Sequence, residues 1–284
     1  MKRIMLLTPA LMLDNNRKAN LEAMQYALDN YSIDEFVCYD QEFKEGDYLK
    51  KYNYIGHQKE RQGFVIPRNE LLKYFYNSDY DYAFLIDANE KITQSSLNDL
   101  ETIFEALKTD KIRSNAILTT MGIQISAERM IAKQRKDYFN SVYLLRNKKG
   151  YEWIHGLIIL NYKKYFNKEI YIDERCNPKT GIVEDVYFVR TLHRLFECQL
   201  CPTIVASKPS NKTSTWQQNA NSYDYPITDN PTIDKMIKEN LKNINIKGYE
   251  IDNIIRLDRI KDNNLQYLKK YKSRSSLQKP TIKK

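Results

Sequence analysis

Along the first two-thirds of the chain, short apolar runs alternate with segments whose apolar residues recur at helical spacing. Each run is long enough for a buried strand and too short for a helix. The predicted strands are Ile4–Leu7, Glu35–Tyr39, Tyr82–Ile86, Ala116–Thr119, Leu157–Leu160 and Thr203–Val205. Strands that alternate with helices indicate an α/β domain with a mostly parallel sheet.

The helical segments open with residues that suit a helix N-terminus. Asn15 or Asn16 can cap a first helix, and Pro67 suits the first position of a second helix. A third helix is expected after Ser95 or Ser96. Its apolar residues form one stripe, made of Leu97, Leu100, Ile103, Phe104 and Leu107.

Three polar side chains follow the ends of predicted strands, namely Thr8, Asp40 and Asp87. In open α/β sheets, ligands bind beyond the carboxyl ends of the strands. We therefore expect these three side chains to share one crevice.

The 284-residue chain lacks the glycine patterns of the common phosphate-binding loops. Its eight glycines make neither G-x-G-x-x-G nor G-x-x-x-x-G-K-[ST]. No stretch approaches the roughly 18 consecutive apolar residues of a membrane-spanning helix. The basic and apolar start imitates a secretion signal, but Pro9 interrupts it and Asp14–Asn16 replace a cleavage site. We expect a buried first strand and a cytoplasmic protein.

Cys198-x-x-Cys201 has two interpretations. With His193 and Cys176 it is half of a conceivable zinc site, and otherwise its cysteines are small apolar residues that lead into a strand. A structural zinc site normally shows four ligands at tighter, paired spacing. The strand interpretation is therefore favoured, and zinc stays an open alternative.

Nearly all of the net charge of +9 lies in the last fifth of the chain. Residues 233–284 hold 14 Lys and Arg against 6 Asp and Glu, whereas residues 1–232 hold 31 against 30. Apolar residues after Asn230–Pro231 again recur at helical spacing. We expect an α/β domain over residues 1–215 and a small, helical, basic extension over residues 216–284.

Two acidic motifs are candidates for chemistry. Asp87 and Asn89 follow a buried strand and can supply oxygen ligands to Mg²⁺ or Mn²⁺, although a strand-ending turn explains them equally well. Glu184 and Asp185 open a predicted helix, where acids suit the helix dipole. Alternatively, Asp185 is a general base that deprotonates an acceptor hydroxyl.

Taken in order, these motifs resemble the GT-A class of glycosyltransferases, especially its inverting members. The matching segments are Leu6–Pro9, Pro67–Leu72, Tyr80–Asn89 and Glu184–Asp185. In that family a strand ends in Asp-x-Asp, and a later acidic pair opens a helix that faces the acceptor. Asn89 departs from the pattern because the family usually has a second Asp there, and a neutral ligand weakens cation binding.

The resemblance implies a metal-dependent, inverting transferase whose donor is a nucleotide-sugar, with a UDP-sugar as the first candidate. It implies the donor-binding residues Thr8, Asp40, Arg68 and Asp87, the Mn²⁺ or Mg²⁺ ligands Asp87 and Asn89, and the catalytic residues Asp185 and Glu184. Trp153 and His155 lie where the family places contacts with the acceptor or the sugar. Their alternative roles are a core tryptophan and a simply hydrogen-bonded histidine.

The basic extension predicts a polyanionic partner. Lys and Arg displace counterions from nucleic-acid phosphates, so duplex DNA is one candidate, and an anionic membrane surface is the other. A solvated tail with neither partner is the third interpretation. The final basic run lacks the Trp, Phe and Leu face of an interfacial helix, which favours DNA.

The composition, rich in Lys, Asn, Ile and Tyr, also resembles proteins of AT-rich bacteriophages, some of which glycosylate hydroxymethylated pyrimidines. The sequence therefore predicts transfer of a sugar to a hydroxymethylated pyrimidine in phage DNA, in the host cytoplasm. The alternatives are a transferase of surface polysaccharide or glycolipid synthesis at the cytoplasmic membrane face, and a non-catalytic DNA-binding protein.

Overall fold

A computed structural model describes residues 1–42, 44, 49–110, 116–124, 156–176, 184–195, 198–208 and 230–241. Its strands are β1 (Ile4–Leu11), β2 (Glu35–Gln41), β3 (Tyr52–Gln58), β4 (Tyr82–Leu85), β5 (Lys91–Ile92), β6 (Ala116–Gln124), β7 (Leu157–Leu160) and β8 (Cys198–Lys208). Its helices are α1 (Arg17–Asn30), α2 (Val65–Tyr76), α3 (Leu97–Lys108), α4 (Tyr162–Phe166), α5 (Glu184–Leu195) and α6 (Asn230–Leu241). Strands β3 and β5 were not predicted.

The strands form one sheet in the order β3-β2-β1-β4-β7-β6-β8-β5. Strand β1 pairs in parallel with β2 and β4, and the β2–β3 and β6–β8 pairs are also parallel. Strand β7 runs antiparallel between β4 and β6, and β5 runs antiparallel beside β8. The prediction of an α/β fold with a mostly parallel sheet is confirmed, and the basic extension beyond α6 lies outside the described residues.

The stripe predicted for α3 faces the core. Leu100, Ile103, Phe104 and Leu107 have no exposed surface, and Leu97 is buried as well. The ring of Phe104 packs against Phe84 of β4 in an edge-on arrangement, with 5.7 Å between centroids. Burying a side chain of this size contributes about 1.5–3 kcal/mol, so this stripe holds α3 against the sheet.

Strand β1 continues past its predicted end, so Thr8 lies inside the strand and not after it. Pro9 lacks a backbone N–H, but no hydrogen bond of the sheet is lost, because the neighbouring strand β4 has already ended at this point. The carbonyl of Pro9 still accepts a hydrogen bond from the backbone N–H of Ala88 at 3.2 Å. Proline is therefore tolerated here, and the strand extends beyond its predicted end at Leu7.

Asp40 likewise lies inside β2, which ends at Gln41. Asp87 follows the end of β4, as predicted. Of the three side chains expected beyond strand ends, only Asp87 lies there.

The helices begin close to their predicted positions, with differences at the caps. Helix α1 begins after Asn16, but the Asn16 side chain makes no capping hydrogen bond. Helix α2 begins at Val65, so Pro67 occupies its third position and not its first. The first turn of a helix has no intrahelical partner for its N–H groups, so a proline there removes no hydrogen bond.

Helix α6 packs on the same core as the sheet domain. Its residues Ile233, Met236 and Ile237 are buried with the apolar residues of α5 and the strands. Residues 209–229, which contain the predicted boundary, lie outside the described residues, and the boundary stays a prediction. Cys198 and Cys201 fall within strand β8, as the strand interpretation expects.

Candidate active site

A cleft opens where the parallel strands β1, β2 and β4 end at one edge of the sheet. Its empty space, including the open mouth, measures about 460 Å³. Its walls are Pro9, Ala10, Leu11, Asn16, Asn20, Gln41, Gly63, Phe64, Pro67, Arg68, Asp87, Ala88 and Asn89. The cleft therefore runs from the start of α1 to the segment after β4.

Arg68 is the centre of a charge cluster in this cleft. Its Nη2 donates to Asp87 Oδ1 at 2.8 Å, and its Nη1 donates to Glu184 Oε1. The side chains of Arg68 and Glu184 are each 11% exposed, whereas that of Asp87 is 32% exposed. One guanidinium thereby joins α2, the segment after β4 and the start of α5.

The pKa values follow from this arrangement. Burial acts to lower the pKa of Arg68, but the carboxylates of Asp87, Glu184 and Asp185 outweigh it and raise that pKa. Burial raises the pKa of Glu184, and neighbouring Asp185 adds to the rise, while Arg68 opposes it. Arg68 therefore stays a cation, and one positive charge faces three carboxyl groups.

Thr8 and Asp40 lie behind the wall of the cleft and not among the described residues that line it. They are 2% and 1% exposed. Asp40 Oδ1 lies 2.7 Å from Nδ1 of His57, whose ring stacks on Tyr54 with 5.1 Å between centroids. Burial raises the pKa of Asp40, and His57 opposes that rise.

His57 is a candidate functional residue that the sequence did not reveal. It lies directly opposite Asp40 in the pairing of β2 with β3. The Tyr52–Gln58 segment mixes buried and exposed positions without an apolar run, so neither the strand nor the pair was recognisable. Only the register between the two strands brings these side chains together.

A second cavity adjoins the first and shares Arg68 and Asp87 with it; its empty space, including the open mouth, is about 400 Å³. Asp185 lines this second cavity, together with the buried carboxylate of Glu90. Glu184 is held instead by Arg68. The two acids that begin α5 are therefore placed differently, and only Asp185 lines the neighbouring cavity.

Gly156, which also lines the second cavity, is the nearest described residue to the predicted acceptor contacts. Trp153 and His155 themselves lie outside the described residues. Their role as acceptor contacts stays a prediction.

The oxygen ligands around Asp87 are too few to hold a cation alone, so they fit only a cation that is also bound by substrate phosphates or water. Asp87 and Asn89 offer one carboxylate, already bonded to Arg68, and one neutral amide. Within the described part of the chain, no group of three or more His, Cys, Asp or Glu could hold a metal ion. Mg²⁺ is commonly held by one or two protein groups plus substrate phosphates and water, and these residues suit that mode.

No family model matches the sequence, and no curated protein does. Among solved structures, the chain is similar to residues 1–349 of S. aureus TarS in complex with UDP-GlcNAc, with a TM-score of 0.51 and 15% identity. That match covers 85% of this chain and 67% of TarS 1–349. A second structure of TarS 1–349 gives a TM-score of 0.46, with 15% identity over 73% of this chain and 60% of that one.

The likeness to TarS concerns the fold. The chain has the fold of a GT-A-like glycosyltransferase, and an identity of 15% supports a statement about the fold alone. The cleft lies at the sheet edge where such α/β folds bind ligands.

In the part of the chain that the structure describes, no helix has the length and apolar character that a membrane span requires.

Proposed function

We propose that this protein is a glycosyltransferase that moves a sugar from a nucleotide-sugar donor to an acceptor hydroxyl. The observation that carries the proposal is Arg68, bonded to Asp87 and Glu184 where two cavities adjoin. A nucleotide-sugar needs one compartment for its nucleotide and a neighbouring one where its sugar meets the acceptor. The glycosyltransferase fold supports this function, and the UDP-GlcNAc bound to TarS supports a UDP-sugar as the donor.

The charge of the cluster supports a requirement for a divalent cation. Asp87, Glu184 and Asp185 surround the single guanidinium of Arg68, so the cluster is net negative when all three are ionised. A diphosphate would add further negative charge to it. We therefore propose that Asp87 and Asn89 would hold Mn²⁺ or Mg²⁺ together with the diphosphate. Such a cation would supply positive charge that offsets the negative charge of the nucleoside diphosphate.

Asp185 is the proposed general base, and Glu184 is a positioning residue that acts through Arg68. Asp185 lines the cavity next to Asp87, where an acceptor hydroxyl can approach. In this mechanism Asp185 takes the hydroxyl proton while the oxygen attacks the anomeric carbon, and the bond to the nucleoside diphosphate breaks. Direct displacement of this kind inverts the configuration at that carbon.

Calorimetric titration with UDP and UDP-GlcNAc, with and without Mn²⁺, tests the donor site. We expect binding that depends on Mn²⁺ and is lost in Asp87→Asn. Asp29→Asn is the matched control because Asp29 is an exposed carboxylate on α1, where Gln25 donates to it. A wild-type protein that binds neither nucleotide nor nucleotide-sugar, with or without the cation, contradicts the proposal.

For the acceptor, we propose a hydroxymethylated pyrimidine in DNA, supported by the net charge of +8 over residues 233–284. Transfer of radiolabelled sugar to DNA containing hydroxymethylcytosine or hydroxymethyluracil, compared with unmodified DNA, tests this directly. Transfer to liposome-borne glycolipid, without transfer to DNA, would favour the membrane alternative. DNA binding that survives Asp87→Asn and Asp185→Asn, without transfer to any acceptor, would favour a non-catalytic DNA-binding protein.

A further inference from the structure

Two asparagine side chains at the α1 end of the cleft have buried oxygens without hydrogen bonds. Asn16 is 9% exposed and Asn20 is 2% exposed, and both line the first cleft. The Oδ1 atom of each is buried and has no hydrogen-bond partner in the described part of the chain. An unpaired buried acceptor costs about 1–3 kcal/mol. These two oxygens therefore destabilise the protein unless something else donates to them.

The orientation of the Asn20 side chain is fixed by a hydrogen bond from its amide nitrogen. Its Nδ2 donates to the backbone oxygen of Leu11 at 2.9 Å, which leaves Oδ1 as the unsatisfied atom. Asn16 directly precedes α1, yet its side chain makes no capping hydrogen bond. Since no hydrogen bond to a described residue holds the Asn16 carboxamide, it can turn its oxygen towards a ligand.

The neighbouring polar side chain of the same wall, Gln41, is fully paired by contrast. Its Oε1 accepts from the backbone N–H of Gln62 at 2.5 Å, and its Nε2 donates to the carbonyl of Gly63 at 3.0 Å. Among the described residues that line this cleft, the buried side-chain atoms without a hydrogen bond are therefore those of the two asparagines, and both atoms are acceptors.

We propose that Asn16 and Asn20 are specificity-determining residues that recognise the nucleoside of the donor by accepting hydrogen bonds from its N–H or O–H groups. This inference rests on the proposed function and assigns residues to its nucleoside. Because acceptors repel phosphate oxygens, we place the diphosphate away from the two asparagines, beside Arg68 and the cation proposed at Asp87 and Asn89. Two parts of a nucleoside can supply the donors, a ring N–H such as N3–H of uracil, or the ribose hydroxyls.

The variants Asn16→Leu and Asn20→Leu remove each acceptor at nearly constant volume. A donor group of the ligand that is left buried and unpaired costs about 1–3 kcal/mol, so UDP should bind roughly 5- to 150-fold more weakly. Asn16→Asp keeps an acceptor oxygen and should retain most of the affinity. Asn15→Leu is the matched control, because Asn15 is exposed and immediately precedes Asn16.

Thermal unfolding without nucleotide separates recognition from a structural role. Removing an unpaired buried oxygen should leave the melting temperature of Asn16→Leu equal to that of wild type or higher. Its UDP-induced shift should nevertheless be reduced. A melting temperature that falls in Asn16→Leu while UDP affinity is unchanged would assign Asn16 a purely structural role and overturn the proposal.

Titration of wild type and both leucine variants with UDP, CDP and 2′-deoxyuridine diphosphate, each with Mn²⁺, shows whether the ring N–H or a ribose hydroxyl donates to the asparagines. If the ring N–H is recognised, the leucine variants lose affinity for UDP but not for CDP, which lacks N3–H. If the 2′-hydroxyl of the ribose is recognised, they lose affinity for UDP but not for the 2′-deoxy nucleotide, and if the 3′-hydroxyl is recognised, they lose affinity for all three. Equal affinity of variants and wild type for UDP overturns this inference alone, whereas a wild type that binds none of the three overturns the proposed function with it.

Discussion

Replacing Arg68 by methionine tests whether the buried charge cluster stabilises the fold. Methionine keeps much of the aliphatic stem but leaves Asp87 and Glu184 without their shared cation. Removing one partner of a buried ion pair typically costs about 3–5 kcal/mol. Glu184 is 11% exposed and stays dehydrated, whereas Asp87, at 32%, regains part of its hydration. We therefore expect the lower end of that range, about 3 kcal/mol.

Urea unfolding of Arg68→Met at pH 7 and at pH 4 measures this cost. Burial already raises the pKa of Glu184 above its ordinary value of 4.5, and Arg68 opposes that rise. Without Arg68 the folded-state pKa rises further, so the ionised group destabilises the variant at pH values above 4.5. Below its unfolded pKa Glu184 is protonated in both states and that penalty disappears. The loss of stability should be largest at pH 7 and smaller at pH 4.

Two further variants make the result decisive. Arg3→Met breaks an ion pair whose side chains are 41% and 81% exposed, and it should cost at most about 1 kcal/mol. Adding Glu184→Gln to Arg68→Met removes the uncompensated charge and should restore part of the lost stability. The reasoning is refuted if Arg68→Met costs no more than Arg3→Met, or if its cost is the same at both pH values.

Three other outcomes are expected. Gly56→Ala would place a Cβ in steric overlap with the ring of Tyr39, so it should lower the free energy of unfolding by about 1–3 kcal/mol. In a urea titration of the double variant, Tyr39→Leu should relieve part of this loss. Burial acts to raise the pKa of Asp173, but Arg175 outweighs it and lowers that pKa from 3.8 to about 2. The contribution of the Asp173–Arg175 pair to the free energy of unfolding should be complete above pH 4 and lost as the pH falls towards 2. Asp173→Asn should not show this loss when its acid unfolding is measured. Asp185→Asn should slow sugar transfer by roughly 100-fold or more in a steady-state assay, while calorimetry shows unchanged UDP affinity.

Local patterns were sufficient to predict most of the core elements. The run at Tyr82–Ile86 is a central strand, and the stripe from Leu97 to Leu107 is buried along its whole length. Both signals arise within a few consecutive residues and need no knowledge of what packs against them. The α/β class followed from the same alternation of elements.

The contacts at the site could not be predicted because they join residues far apart in the sequence. Arg68 meets Glu184 across 116 positions, and Asp40 meets His57 only through the register of two strands. The predicted first strand ends at Leu7, and only the shorter neighbouring strand β4 shows why Pro9 can continue it. Asn16 reads as a helix cap, and only the three-dimensional structure shows that its side chain caps nothing.

The two ends of the sheet differ in how completely their polar groups are paired. At the amino ends of β1 and β4, Asp81 accepts hydrogen bonds from the backbone of Arg3 and from the side chains of Lys164 and Tyr165, at 2.5 to 3.0 Å. Asp34, at the same end, accepts from the backbone N–H of Ile4 at 2.7 Å. These carboxylates therefore stabilise the fold through hydrogen bonds to the backbone and to neighbouring side chains.

At the carboxyl ends the pairing is incomplete. The Oδ2 atom of Asp40 and the Oδ1 atoms of Asn16 and Asn20 are buried without hydrogen bonds to described residues. Arg68 is surrounded there by more negative charge than it neutralises. A buried ion pair gains little stability over apolar side chains of the same volume, because desolvation offsets the attraction. Stability therefore explains the pairing at the amino ends but not the arrangement at the carboxyl ends. The proposed nucleotide-sugar, bound with a cation, would satisfy the unpaired acceptors and offset the excess negative charge.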